Sequence, residues 1–325
     1  MRAIIPAAGF GKRLKPHTYS QPKVLLNVGG KPILGHILDR LSAENISKAT
    51  LILGYLGEQI KDYVTNNYPD IQADFVFQEE MLGLGHAIYT AAPTFDDEEL
   101  FIILGDTVFD VDLESVFTKR TTSLGVKEVT DPRRFGVALL ENGVIKKLIE
   151  KPKAPVSNLA LVGLYYVANS KLLAESLEEL IAKDIRTNNE YQLTDALQLM
   201  IDKGERVTTF PVEGWYDCGK PETLLSTNQF LLSQNGKPPE RENVVVIPPV
   251  FIAENAEVKN SVVGPFTTIS QNCVIEDSII KNSIIGSEAK VFASILENSI
   301  IGSNAVVRGT YKKINAGDSS ELEFF

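Results

Sequence analysis

The sequence predicts an α/β chain: a Rossmann-like domain with a mostly parallel mixed sheet, followed by a short left-handed parallel β-helix. Three observations carry this. Short apolar runs alternate with segments of helical spacing from the start of the chain to Asp106. A loop of small residues, Ala7-Ala8-Gly9-Phe10-Gly11, breaks the first of those runs. Far downstream, Asn260-Ser261-Val262-Val263-Gly264, Asn282-Ser283-Ile284-Ile285-Gly286 and Asn298-Ser299-Ile300-Ile301-Gly302 are near-copies of one another.

Taken in order, Ala3-Ile4-Ile5 reads as a buried strand. Ile33, Leu34, Ile37, Leu38 and Leu41 recur at helical spacing, so residues 32–41 read as a helix. Residues 49–53 form a strand, 58–68 a helix and 75–77 a short strand. Gly83-Leu84-Gly85-His86-Ala87 opens the next helix. Residues 100–104 are a nearly continuous apolar run, as in a strand covered on both faces, and it ends at Gly105-Asp106. Ligands of such sheets sit beyond the C-terminal ends of the strands, so Gly9, Gly83 and Asp106 are predicted to share one rim.

The pattern then changes. Residues 123–130, 136–140 and 144–149 read as strands, the last two joined by an Asn142-Gly143 hairpin turn. Residues 160–167 form a further strand, and 171–181 and 191–203 two helices. A segment at 207–212 leads to Gly214-Trp215-Tyr216-Asp217-Cys218-Gly219, and 221–232 is helical. These elements read as a substrate-side subdomain grafted on the first sheet. A polar linker, Gln234-Asn235-Gly236-Lys237-Pro238-Pro239, follows. Beyond it β-branched residues alternate with turn residues at a step of about six, the pattern of a stacked parallel coil. The predicted domains are residues 1–233 and 243–313, with 314–325 as a tail without readable structure whose Leu322, Phe324 and Phe325 are available to cover the open end of the coil.

Composition narrows the function. A net charge of −10 and a pI near 5.0 disfavour a general nucleic-acid binder, which needs phosphate-neutralising cations over a surface. A nucleotide in a local basic pocket remains compatible. Two cysteines, Cys218 and Cys273, lie far apart, which argues against a disulfide scaffold or a Cys-based zinc site. No apolar run reaches membrane-spanning length and no leader is read at the start, so a cytoplasmic protein is expected.

The chemistry concentrates near the N-terminus. Gly9 and Gly11 permit close backbone approach, and Lys12, Arg13 and Lys23 follow. Amide groups and basic side chains together suit a phosphate. No Gly-Lys-Ser/Thr of a Walker A loop is present, and Leu14 stands where a dinucleotide fingerprint has its third glycine. Asp106 and Asp217, each in a glycine-containing loop, are hard carboxylates of the kind Mg²⁺ prefers. Taken alone, each also fits a turn or cap aspartate.

Gly9-Phe10-Gly11-Lys12-Arg13-Leu14-Lys15-Pro16, with Pro22-Lys23 and Gly30-Lys31-Pro32-Ile33, resembles the signature of the sugar-1-phosphate nucleotidyltransferases. The resemblance extends to about Phe230. It implies an Mg²⁺-dependent transfer of a nucleoside monophosphate from a nucleoside triphosphate to a sugar 1-phosphate, with pyrophosphate leaving. By position it implies that Arg13, Lys23 and Asp106 serve catalysis, and that Asp106 and Asp217 bind the metal. Ala8, Gly9, Gly11, Arg13, Gln78 and Gly83 correspond to nucleotide contacts. Gly136, Glu150, Lys151 (in Glu150-Lys151-Pro152), Val162 and Trp215 correspond to the sugar-phosphate pocket. His86 reads as a hydrogen-bonding residue at a helix start.

The resemblance favours UTP or dTTP and glucose 1-phosphate. Gln21-Pro22-Lys23 departs from the Ser-Lys-Gln of short thymidylyltransferases, and Glu213-Gly214-Trp215 from their Arg-Gly-x-x-Trp, so the base stays open. A mannose-1-phosphate guanylyltransferase and a non-catalytic nucleotide-sugar-binding subunit are the alternatives. An acyltransferase coil needs a catalytic histidine, and residues 230–325 contain none. The coil therefore reads as a structural or oligomerising module, and a homo-oligomer without nucleic-acid or membrane partners is expected.

Overall fold

The computed structural model describes residues 1–234, 241–309 and 314–323. The chain forms two compact units. One comprises Met1–Gly9 with Ile37–Trp215, the other Phe10–His36 with Tyr216–Phe325. These units are not continuous in the chain: the basic loop after the first strand groups with the C-terminal coil.

The first unit is built on a nine-stranded sheet. Arg2–Pro6 lies between Lys48–Leu53 and Leu100–Ile103, parallel to both, and Gln72–Phe77 pairs parallel to Lys48–Leu53. Ile4, Ile52 and Ile102 are fully buried because helices cover these strands, which is why they read as continuous apolar runs. The later strands are not a grafted subdomain. Leu159–Val167 pairs antiparallel with Leu100–Ile103 and carries the sheet onward to Gly136–Glu141, Val144–Glu150 and Ser123–Glu128. Thr208–Pro211 adds parallel to Ser123–Glu128. Helices Leu84–Ala91, Ser170–Ala182 and Leu193–Asp202 share one core cluster with this sheet. The short strand Thr107–Asp110 and the helix Leu113–Phe117 have no counterpart in the sequence reading; both are too brief to show a period.

In the second unit, three parallel sheets stack into the β-helix. Successive coils align Val245 with Val262, Val262 with Ile279 and Ile279 with Ile295. Val263, Ile280 and Leu296 point inward with Ile269, Ile285 and Ile301 to form the core. The repeated Asn-Ser pairs have a physical role. Asn260, Asn282 and Asn298 take positive φ at corners, a conformation asparagine tolerates better than most residues. Ser283 Oγ accepts from Ser299 N at 3.1 Å, and Ser299 Oγ accepts from Ile314 N at 3.2 Å, so buried hydroxyls form a ladder between coils. The stack continues beyond residue 313: Asn315–Ala316 pairs with Ile300–Ile301, and Glu321–Glu323 with Val306–Arg308. The segment read as a structureless tail is therefore a further coil, in which Leu322 packs against the core. Phe324 and Phe325 lie outside the described residues, as do 235–240 of the expected linker.

Candidate active site

In the first unit the parallel strands fix one rim. Arg2–Pro6, Lys48–Leu53, Gln72–Phe77 and Leu100–Ile103 run the same way, so their following loops emerge at one edge. Ala8 and Gly9, Gln78, and Asp106 are in those loops. Gly105 N donates to Pro6 O at 3.1 Å, and Gln78 N donates to Leu53 O at 2.8 Å, which ties the loops to the strand ends. The rim continues across the antiparallel strands. Leu164 pairs with Ile103, Ala160 with Val137, and Gly136 with Glu150, which carries Gly136, Glu150 and Val162 past the same edge.

Gln78 is buried, and its amide orientation is dictated by its neighbours. Nε2 donates to Gly83 O at 3.2 Å and meets His86 Nδ1 at 3.1 Å. A carbonyl can only accept, so the amide nitrogen faces it and His86 Nδ1 accepts as well. Burial lowers the His86 pKa, with Glu80 opposing, which favours the neutral ring that this contact needs. His86 is thus a hydrogen-bonding residue at the start of helix Leu84–Ala91, as its position suggested. The loop itself is pinned to Tyr191: Tyr191 N donates to Leu82 O at 2.8 Å and Gly85 N to Tyr191 O at 2.7 Å. Gly83 takes φ +114, and a Cβ there would lie 2.6 Å from Tyr191 O.

A second cluster surrounds Glu150. Thr194 Oγ1 donates to Glu150 Oε2 at 2.7 Å, and Lys151 Nζ lies 3.3 Å from Glu150 Oε1. Gly136 lies under the same carboxylate, where a Cβ would come 2.9 Å from Oε2. Lys151 has φ +45, which costs an ordinary L-residue about 1–2 kcal/mol. Its backbone N–H donates to Phe135 O at 3.0 Å and holds this turn. Val162 is buried at an irregularity in the pairing of Leu159–Val167 with Ser123–Glu128. Trp215 is half-buried and packs edge-on against Phe135, with ring centroids 5.0 Å apart.

Thr194 and Asp195 were not singled out from the sequence. They lie more than forty residues after Glu150 (194 − 150 = 44), so no local spacing could link them to it. Among the described residues Asp195 Oδ2 has no hydrogen-bond partner. Burial raises the Asp195 pKa, a hydrogen bond with Thr187 opposes that, and the charge of Glu150 raises it further.

In the second unit two pairs come close, Gly11 with Lys23 and Arg13 with Asp217. Thr18 Oγ1 donates to Gly11 O at 3.0 Å, and a Cβ on Gly11 would lie 3.1 Å from Lys23 Cβ. At Gly219 a Cβ would lie 2.7 Å from Arg13 Nη2 and 2.8 and 2.9 Å from the two carboxylate oxygens of Asp217. Gly219 therefore lies between a guanidinium and a carboxylate, with no room for a Cβ unless one of them shifts. The Asp217 carboxylate is a hard oxygen donor of the kind Mg²⁺ takes, and the Arg13 guanidinium is a donor of the kind phosphate oxygens take. No cluster of three or more acidic, histidine or cysteine side chains occurs among the described residues. His17 Nε2 hydrogen-bonds Asn315, and His36 Nε2 donates to Val28 O at 2.8 Å, so each ring has a structural partner. No helix among the described residues is long and apolar enough to cross a membrane.

Residues 2–234 match the model of the family described as Nucleotidyl transferase. Over 318 residues the chain is 38% identical to the bifunctional protein GlmU of Methanocaldococcus jannaschii, covering 90% of this chain and 74% of that protein. It is 31% identical to a glucose-1-phosphate thymidylyltransferase of Streptomyces griseus, covering 88% and 87%. It is 32% identical to the UTP–glucose-1-phosphate uridylyltransferase AglF of Haloferax volcanii, covering 71% and 96%. Among solved structures, a UDP-glucose pyrophosphorylase complexed with UDP-glucose superposes with a TM-score of 0.62 at 27% identity, covering 72% of this chain and 99% of that one.

Proposed function

The chain belongs to the nucleotidyl transferase family, and on that premise we propose that it transfers a nucleoside monophosphate from UTP or dTTP to a sugar 1-phosphate, glucose 1-phosphate above all. The products are an NDP-sugar and pyrophosphate. One observation carries the reading: the loops of Gly9, Gln78, Asp106, Gly136 and Glu150 leave a single sheet at a single edge.

A phosphate oxygen of the sugar 1-phosphate attacks the α-phosphorus, and the bond to the β-phosphate oxygen breaks. No enzyme nucleophile is needed. What the protein supplies is alignment and charge neutralisation. Arg13 binds the triphosphate and offsets charge on the departing pyrophosphate. Lys23 contacts the α-phosphate or the phosphate in attack. Lys151 holds the sugar phosphate, and Glu150, oriented by Thr194, accepts from sugar hydroxyls. Asp106 and Asp217 are the carboxylates proposed to bind Mg²⁺, which would supply neutralisation of phosphate charge. Trp215 and Val162 wall the sugar side.

Base choice follows from the Gln78 amide. With Nε2 committed to Gly83 O and His86, Oε1 is the atom left for a base edge. An acceptor suits the ring N–H of uracil or thymine and opposes the ring acceptor nitrogen of cytosine. Guanine also presents a ring N–H; the uridylyl and thymidylyl names of the relatives favour the pyrimidines. The reaction belongs in the cytoplasm, where nucleoside triphosphates are available, and the enzyme works as a homo-oligomer.

The test is pyrophosphate release with UTP, dTTP, GTP and CTP crossed against glucose, galactose, mannose and N-acetylglucosamine 1-phosphates, with Mg²⁺ or with chelator. Release that needs both partners, is fastest with UTP or dTTP and stops with chelator is expected. Silence across the grid, from protein that binds nucleotide in a calorimeter, would make it a nucleotide-sugar-binding subunit instead.

A further inference from the structure

The segment that carries Arg13 and Lys23 has little structure of its own. It consists of three single-turn helices, Lys12–Leu14, His17–Tyr19 and Lys23–Leu25. Turns of that length do not hold a side chain in place by themselves. The β-helix does, and both belong to the same compact unit.

Two anchors flank Lys23. On one side is the last coil. His17 hydrogen-bonds Asn315, and Ser20 donates to Asp318. Pro16 lies against Gly317, where a Cβ would come 2.7 Å from the proline ring. Asp318 is itself fixed, because its Oδ1 accepts from Ser303 N at 2.8 Å, one coil earlier. On the other side, Asn27 Nδ2 donates to Ser270 Oγ at 3.1 Å, and Gly29 N donates to Asn228 Oδ1 at 2.8 Å. Thr18 passes the restraint inward through its bond to Gly11 O. The strands Thr267–Ile269 and Asn315–Ala316, next to these anchors, belong to one five-stranded face of the coil.

We infer that this face of the β-helix is a positioning platform for nucleotide binding, with Asn315 and Asp318 as positioning residues that hold Arg13 and Lys23 ready for the triphosphate. The inference rests on the assignment of Arg13 and Lys23 to phosphate contact. The physical reason is pre-organisation. A free loop loses conformational entropy when it closes on a ligand, and a loop already fixed does not. Each coil strand is hydrogen-bonded to its neighbours, so the coil supplies stiffness that three single turns lack. The coil thus has a task in the chemistry beyond assembly.

The experiment compares Asn315→Leu, Ser20→Ala and Asn315→Asp with the parent protein. Initial rates give KM for each substrate, and hydrogen exchange of residues 12–23 is followed without ligand. Asn315→Leu and Ser20→Ala are expected to raise KM for the nucleotide by about five-fold, the loss of one hydrogen bond's worth of ordering, with kcat and KM for the sugar phosphate unchanged. Exchange in 12–23 should quicken in both. Asn315→Asp keeps an acceptor oxygen toward His17 and should restore the parent KM. Unchanged nucleotide KM and unchanged exchange in both disrupting variants, or an equal rise in both KM values, would overturn the platform. If the parent protein releases no pyrophosphate the activity fails, yet the exchange rates still decide whether the coil orders the segment.

Discussion

At the Glu150 carboxylate two adjacent residues act in opposite senses. Thr194 stabilises the charge with a hydrogen bond, and Asp195 sets a second acid near it. Burial, with the Glu150 charge adding, makes the Asp195 carboxyl easier to protonate in the folded chain than in the unfolded one. Its contribution to stability is therefore full below the unfolded pKa and is lost as pH rises through the folded one. Asp195→Asn removes that titration. The melting temperature of the variant relative to the parent should climb as pH rises above the ordinary aspartate range, measured by calorimetry. A flat difference would mean that Asp195 is not held in an unfavourable charge state. At this scale the sequence showed Glu150-Lys151-Pro152 but not its support, because the hydrogen bond to Thr194 arises only when a helix packs beside a strand.

Among elements, the link between strand Gln72–Phe77 and helix Leu84–Ala91 is the loop proposed to meet the base. Gln78 and His86 are bridged across it, and Tyr191 holds it from outside. Gly83→Ala meets two obstacles, the positive φ and the Tyr191 carbonyl. The loop must move, and affinity for UTP in a calorimetric titration should fall on the order of ten-fold. The strain and the displaced clamp should also lower the melting temperature, so affinity is compared at a temperature where the variant is folded. Unchanged affinity would remove this loop from the nucleotide site. Here the sequence was more legible: both glycines and the helix start were visible, and only the clamp by Tyr191 was hidden.

At the scale of the whole molecule, the described residues of the coil present an exposed apolar ladder. Val245, Ile279 and Ile295 are 59%, 45% and 42% exposed, and the registers align them with Val262 on one sheet. Such a flat, in-register face suits a second copy of itself. Ile279→Glu with Ile295→Glu should lower the solution mass in light scattering, leaving the coil folded because both side chains point outward. An unchanged mass would place any assembly surface elsewhere.

By itself the sequence determined what is periodic or local. The alternation of strand and helix fixed the parallel sheet, since apolar spacing is set by which faces are buried. The Asn-Ser repeats fixed the coil, because each copy must satisfy the same corner and the same serine ladder. The small-residue loop and its basic neighbours suggested the phosphate contacts that are proposed for Arg13 and Lys23. Tertiary structure alone decided what depends on distant pairing. It joined the later strands to the first sheet and made a coil of residues 314–323. It also set Asn315 on His17 and Asp318 on Ser20, 298 residues apart in each case. Hydrogen bonds of single side chains leave no period in a sequence, and their partners are chosen only when the packed elements bring them within reach.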